Sequence, residues 1–221
     1  MLNLTKINLK AVIFDMDGVI VDSQYQWHQL EYHFLEDLLP DWKKIRTELT
    51  GLSVQDEYVY LRERYNLEIG LKDYTKEYDI MAQVIYEQRC NLTEGCEELL
   101  TALGDENFTI ALASSSPCRW ISIVLDRFNL GRFFVRTVGS DEVGGRGKPS
   151  PDIYLYTAHQ INTAPAQCIA IEDSKNGVLA AKEAGMYCIG LLNGFNEKHD
   201  LLKADIVAHS FYDITTAKLV D

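Results

Sequence analysis

Two aspartates, Asp15 and Asp17, stand two residues apart at the end of the apolar run in AVIFDMDGVIVDS, residues 11 to 23, and a third, Asp22, follows. Carboxylates at i and i+2 share a side while the chain stays extended, and Gly18 permits a turn directly after them, so both can face one pocket. One member of such a pair can attack phosphorus and bind a metal, while the other protonates a leaving oxygen and later activates water. Like-charged neighbours also push their pKa values apart, which suits that division of labour. A calcium loop starting at Asp15 is excluded, because Val19, Ile20 and Gln26 fill the positions that need an oxygen ligand, a glycine and an acid. Taken alone, a solvated acid pair in a strand-to-helix loop is the plain alternative.

Three more polar clusters follow. In IEDSKNG, residues 171 to 177, Glu172 and Asp173 close an apolar run, and Asp173 or Ser174 also suits a helix N-cap. Two acidic pairs at neighbouring strand ends repel unless a cation lies between them, and hard oxygen ligands of this kind suit Mg²⁺. In ALASSSP, the hydroxyls and free N–H groups of Ser114, Ser115 and Ser116 can hold a phosphate or cap a helix. Lys148 lies in GGRGKPSPDIY, where Pro149 and Pro151 mark the start of the next helix. The stretch is not a nucleotide-binding P-loop, since the match fails at Glu142 and Pro149.

These residues need elements to position them. Apolar, β-branched runs at AVIF (11–14), FTIALA (108–113), CIAIE (168–172), MYCIGLL (186–192) and DIVAH (205–209) read as buried strands. Helical spacing falls between them: Leu99, Leu100 and Leu103 before Gly104; Trp120, Ile121, Val124, Leu125 and Phe128 before Gly131; Val178, Ala181 and Ala184 before Gly185. Each glycine is expected to stop its helix. Such alternation predicts an α/β fold, with a parallel sheet covered on both faces and ligands at the carboxyl ends of the strands. Asp15, Ser114 and the pair Glu172–Asp173 all fall at that edge.

From about residue 22 to 91 the alternation stops and helical patterns take over, including Trp27, Leu30, Phe34, Leu35 and Leu38. The segment holds eight of the twelve tyrosines, and between residues 24 and 91 acids outnumber bases 13 to 8, so it is no basic clamp. It reads as an all-helical insertion after the first strand, with Asp22 or Ser23 as N-cap of its first helix. The expected division is therefore a core from residues 1–21 and 92–221 and a helical cap from 22–91.

A length of 221 residues suits one domain with an insertion, and 47% hydrophobic with 24% charged residues is ordinary globular composition. A net charge of −12 disfavours binding to nucleic acid or anionic membrane, although a bound cation can still draw in a small anion. Five cysteines without C-x-x-C spacing argue against disulfides or zinc and point to reducing cytosol. No signal sequence or membrane span is visible in the sequence. A cytoplasmic monomer, with small anionic substrates still open to it, is the expectation.

In their order, D-x-D-G-V, a strand-end serine, a lysine before proline and Glu-Asp-Ser resemble the four motifs of the haloacid dehalogenase superfamily over nearly the whole chain. FDMDGVIVDS, ALASSS, GKPSPDIY and IEDSKNGVLAAKEAG look most like its β-phosphoglucomutase-like branch. The resemblance implies a Rossmann-like core with a helical cap. It implies Asp15 as nucleophile forming an aspartyl-phosphate and Asp17 as general acid and base. Ser114 and Lys148 would hold the transferring phosphoryl group. Mg²⁺ would be bound by the Asp15, Glu172 and Asp173 carboxylates and the Asp17 main-chain carbonyl.

The implied substrate contacts are Ser115, Ser116, Gly51, Ser53, Trp27 and His28. The sequence departs from the mutases at Thr50 and Val54, where they carry phosphate-gripping cations, at Trp27, where they carry a histidine, and at Pro117-Cys118, where they carry Lys-Asn. Arg119 and Arg46 are the candidates to compensate. A phosphatase acting on a small, sugar-like phosphate is therefore expected. A hexose-phosphate mutase, an inorganic pyrophosphatase and a non-catalytic phosphometabolite-binding protein are the alternatives.

Overall fold

The computed structural model describes residues 9–39, 44–45, 49, 52–144 and 147–215. Six parallel strands form one sheet: β1 (Ala11–Phe14), β2 (Thr109–Ala113), β3 (Arg136–Val138), β4 (Cys168–Glu172), β5 (Tyr187–Leu191) and β6 (Ile206–Ala208). Their order is β3-β2-β1-β4-β5-β6, so the first strand is central and the chain builds outward from it in both directions. The crevice of such a sheet opens where the winding reverses, beside β1.

The strands are apolar because both faces are covered. On one face Val12, Phe14, Ile110, Leu112, Ile169 and Ile171 enter the larger core. On the other, Ala11, Ile13, Ala111, Ala113, Cys168 and Ala170 present mostly small side chains. Two helices, named α6 (Asp152–Gln160) and α7 (Lys175–Glu183) in chain order, pack on that smaller face through Ile153, Tyr154, Val178 and Ala181. In register, Phe14 stands beside Leu112 and Ile171, so residues 15, 113–114 and 172 leave the sheet side by side.

Helices α4 (Cys96–Asp105) and α5 (Cys118–Arg127) complete the core. The expected stop at Gly104 is overturned: Gly104 lies within α4, and Asn107, at φ 61°, is the left-handed residue beyond it. After α5 the same part is taken by Asn129, at φ 53°, rather than Gly131. Asparagine is the side chain that best tolerates this region after glycine. Only Gly185, at φ 79°, ends its helix as expected.

Between β1 and β2 lie α1 (Gln24–Leu38), α2 (Val54–Tyr65) and α3 (Leu71–Val84), the last running into a π-helical turn, Ile85–Arg89. Ser53 caps α2, accepting the Asp56 N–H at 3.1 Å, and Asn66 ends it in the left-handed region. Aromatic rings glue these helices together: Tyr74 and Tyr78 lie 5.0 Å apart by centroid, Phe34 and Tyr74 5.4 Å, Trp27 and Tyr78 5.9 Å. The two crossings between helical layer and sheet run side by side. Val21 bridges Leu92, the Asp22 N–H reaches the Asn91 carbonyl at 3.0 Å, and the Asn91 side chain donates to Asp22 Oδ2 at 3.0 Å. Among the described residues no helix is long and apolar enough to cross a membrane.

Candidate active site

Asp15 follows β1, and its N–H bonds to the Ile171 carbonyl of β4, which seats it between two neighbouring strand ends. Lys148 arrives from the loop before α6. Its ammonium, 2% exposed, lies 2.5 Å from Asp15 Oδ1, 2.5 Å from Glu172 Oε1 and 3.3 Å from the Ala113 carbonyl. Burial alone would lower the lysine pKa, but the Asp15 and Glu172 carboxylates outweigh it and push it up. Asp15 is pushed the other way from a normal ion-paired acid, to about 7. Burial raises it, Lys148 opposes that, and Glu172 and Asp17 add to it.

Glu172, the last residue of β4, is fully buried. Its Oε1 also accepts the Tyr154 hydroxyl at 2.6 Å, and its Oε2 the Asp173 N–H at 3.2 Å. Helix α7 approaches so closely that a Cβ on Gly177 would fall 2.0 Å from that carboxyl group. Asp173 Oδ2 accepts the side-chain amides of Gln24 and, at 2.9 Å, Asn193. Burial and then the nearby Asp15 and Glu172 charges hold its pKa well above the usual carboxylate range. Gly18, at φ +78°, presses on the same oxygen, leaving no room for a side chain.

Oxygens of Asp15, Glu172 and Asp173 lie within 4.8 Å of one another, all on buried side chains. When all three carboxylates are ionised they exceed the one lysine by two negative charges, at largely buried side chains. Hard oxygen donors with that surplus fit a divalent cation of the Mg²⁺ type.

Asp17 is held differently. Oδ1 accepts the Ser23 hydroxyl at 2.6 Å and the Tyr86 hydroxyl at 2.7 Å, while Oδ2 accepts that of Ser116 at 2.9 Å. Of the two residues expected to cap α1, Ser23 holds the position and Asp22 does not. Ser23 occupies the N-cap position of α1 but makes no side-chain cap bond, and Asp22 ties the two crossings together instead. Ser114, 1% exposed, accepts the Ser116 N–H at 3.0 Å, which shapes the turn after β2.

A cavity of about 390 Å³ opens above these groups. Asp15, Asp17, Ser114, Ser115, Ser116, Lys148 and Asp173 line its floor, and Trp27 and His28 of α1 line its wall. Ser53 is not in that lining; its hydroxyl is engaged with Asp56, whose carboxylate also accepts the Gly147 N–H at 2.9 Å. Gly51, with Thr50 and Arg46, lies outside the described residues. Arg119 is paired with Asp79 at 2.6 Å and is not in the lining either.

Sequence reasoning missed Tyr86, Gln24, Tyr154 and Asn193, which meet the site from distant points in the chain. It also missed Glu57, a buried acid of α2 in the cavity wall whose Oε1 takes the hydroxyls of both Tyr74 and Tyr78. Burial pushes the Glu57 pKa up, against those two hydroxyl donors. Asn193-Gly194, one residue beyond the end of β5, was the one available signal, since the carboxyl end of a strand is where such a sheet places ligands.

Comparison with known proteins agrees with this geometry. The chain is 30% identical to the phosphorylated carbohydrates phosphatase of Thermotoga maritima, over 90% of this chain and 93% of that one. It is 33% identical to the β-phosphoglucomutase of Bacillus subtilis, over 94% and 92% respectively. The crystal structure of a hydrolase from Pseudomonas syringae superposes with a TM-score of 0.80 at 26% identity, covering 92% of this chain and 95% of that one. The sequence profile of the haloacid dehalogenase-like hydrolases matches residues 12–191. A central β1 ending in Asp15, a buried lysine on that carboxylate and an acid cluster on β4 are thus found in a chain that belongs to the haloacid dehalogenase-like hydrolase family.

Proposed function

We propose that this chain is a Mg²⁺-dependent phosphatase that hydrolyses a small, sugar-like phosphate monoester. Residues 1–21 and 92–221 form its catalytic core and 22–91 its cap. The observation that carries the reading is the pairing of two differently treated carboxylates: Asp15 gripped by a buried ammonium, and Asp17, two residues on, held among the described residues by three hydroxyls.

Asp15 attacks phosphorus; the substrate P–O bond breaks as the aspartyl-phosphate bond forms, and Asp17 gives its proton to the leaving oxygen. Asp17, now a carboxylate, takes a proton from water as that water attacks the aspartyl-phosphate, which releases inorganic phosphate and restores both acids. Lys148 and Ser114 hold phosphoryl oxygens. Mg²⁺ would be held by the carboxylates of Asp15, Glu172 and Asp173 with the Asp17 carbonyl, and when bound it neutralises charge on those oxygens.

The mutase reading has support from the Bacillus subtilis relative. A mutase must grip a second phosphate. Among the described lining residues, those contributed by the cap are Gln24, Trp27, His28, Glu31, Leu35, Leu49, Leu52, Val54, Glu57 and Tyr78, with no lysine or arginine among them. With no lysine or arginine there, a second phosphate lacks the charged donors that grip it, which favours water as acceptor and a polyol as leaving group. The reading also takes the chain to act as a cytoplasmic monomer, in keeping with its five free cysteines.

The test is a panel of sugar phosphates, nucleotides and pyrophosphate with Mg²⁺, reading both free phosphate and isomerised product. Wild type should release phosphate and Asp15→Asn should not. Equal release by both, or isomerisation of glucose 1-phosphate outrunning hydrolysis, would overturn the reading.

A further inference from the structure

Tyr86 is fully buried in the π-helical turn that returns the chain from the helical layer to the sheet. Single π turns recur at functional positions because they re-aim one side chain. Its hydroxyl lies 2.7 Å from Asp17 Oδ1, 3.1 Å from Trp27 Nε1 and 3.3 Å from Ser116 Oγ. An indole N–H can only donate, so the phenol oxygen accepts from Trp27 and its single proton is left for another partner. The shortest of its contacts is to Asp17, a carboxylate that can only accept. Trp27 is itself fixed by its neighbours, stacked on Tyr78 at 5.9 Å and tilted against Trp120 at 5.4 Å.

Oδ1 of Asp17 therefore receives two hydroxyl protons, from Ser23 and Tyr86, whereas Oδ2 receives one, from Ser116. A hydroxyl can turn from donor to acceptor; the Tyr86 hydroxyl, pinned by Trp27, is the least free to do so. We propose that Tyr86, oriented by Trp27, is a positioning residue that commits Oδ1 of Asp17 to accepting and leaves Oδ2 as the oxygen that carries the transferable proton. The proposal rests on the phosphatase reading and deepens it.

In the first half-reaction the proton on Oδ2 moves to the leaving oxygen as the substrate P–O bond breaks and the Asp15–phosphorus bond forms. In the second, water adds to phosphorus, the Asp15–phosphorus bond breaks, and the proton lost by water returns to Oδ2. Ser116 rotates to accept while Oδ2 is protonated and donates again when it is not. Proton and charge are restored over the cycle, with one water consumed.

Two aryl phosphates separate this role from packing. p-Nitrophenolate leaves without a proton, phenolate leaves more easily with one, and both substrates share the same second half-reaction. Tyr86→Phe, which keeps the ring, should lower kcat/KM for phenyl phosphate about tenfold more than for p-nitrophenyl phosphate, a part of the 10²–10⁴-fold that general acid–base catalysis contributes. It should also show a burst of about one p-nitrophenolate per enzyme ahead of slow turnover, since release of phosphate from Asp15 still needs Asp17 as base. Trp27→Phe should show the same split, smaller, and stands in if Tyr86→Phe does not fold. An equal fall on both substrates without a burst would overturn the proposal. Asp17→Asn is the control. If it shows the split and the Tyr86 and Trp27 variants do not, the positioning role is wrong and the phosphatase reading stands; if Asp17→Asn behaves as wild type, the reading itself has failed.

Discussion

Lys148 Nζ lies 2.5 Å from Asp15 Oδ1, on a side chain only 2% exposed. A cation so placed has no water to fall back on, so the ion pair and its second arm to Glu172 must replace its hydration. Removing it, as in Lys148→Met, strands two buried carboxylates facing each other. The expected cost is about 3–5 kcal/mol of stability, the range for breaking a buried pair. Hydrolysis should fall by about 10²–10³, the range for losing one preorganised charge donor. Urea midpoints and phosphate release would measure the two effects; a variant within threefold of wild type in rate would sink the role given to Lys148.

Glu57 adds a pH dependence of stability of the same sign as those of the buried Asp15 and Asp173, and one that can be removed without touching the metal-binding acids. Its folded pKa is raised, so the folded protein holds a proton that the unfolded chain has lost. Stability contributed by this group is full below the unfolded glutamate value of 4.5 and falls as pH rises from there toward the folded pKa. Glu57→Gln keeps an acceptor for Tyr74 and Tyr78 without the buried charge. Thermal midpoints of wild type should therefore drop relative to Glu57→Gln as pH rises above that value. Parallel curves for the two proteins would refute it.

Gly177 leads to an opposite expectation from the usual one for a glycine in a helix, where alanine stabilises by about 1 kcal/mol. Here the added Cβ would fall 2.0 Å from the Glu172 carboxyl, and the acid must shift. Gly177→Ala should lose the stabilisation that Mg²⁺ gives wild type, which is about 2.7 kcal/mol at one hundred times Kd. Asp173→Asn should lose it too. Melting with and without Mg²⁺ reads this directly, and an undiminished Mg²⁺ shift in both variants would remove Glu172 and Asp173 from the metal site.

Much of the core was legible because its signals are local. AVIF, CIAIE and the runs around Ala111 and Ile189 are apolar on both faces, and the polar residues that follow each run lie at one edge of the sheet. β3 was not legible: it has three residues, Arg136, Thr137 and Val138, of which only the last is buried. The helix stops at Asn107 and Asn129 were hidden behind nearby glycines, since both residue types enter the left-handed region. The partners of Asp17 were hidden for another reason. Tyr86 is 69 residues away and Ser116 is 99, and no spacing rule links a hydroxyl to a carboxylate across such distances. Ser23 sat in plain view but carried the signal of a helix cap. Glu57 looked like one more acid on a solvated helix, because its burial depends on two tyrosines from α3.

The clasp between Asp22 and Asn91 gives the helical segment a common doorway. To the sheet, everything from residue 23 to residue 90 is a loop whose ends are already joined, so its length and content impose little extra closure entropy on the core. A segment attached this way can be exchanged as a cassette between chains that share the doorway. On the proposed function, Asp15, Asp17, Ser114 and the Glu172–Asp173 pair would stay behind at the ends of β1, β2 and β4, while Trp27, His28 and Glu57 of the cavity wall would travel with the cassette. Tyr86 would travel too, so a transplanted cassette would have to bring its own hydroxyl for Asp17.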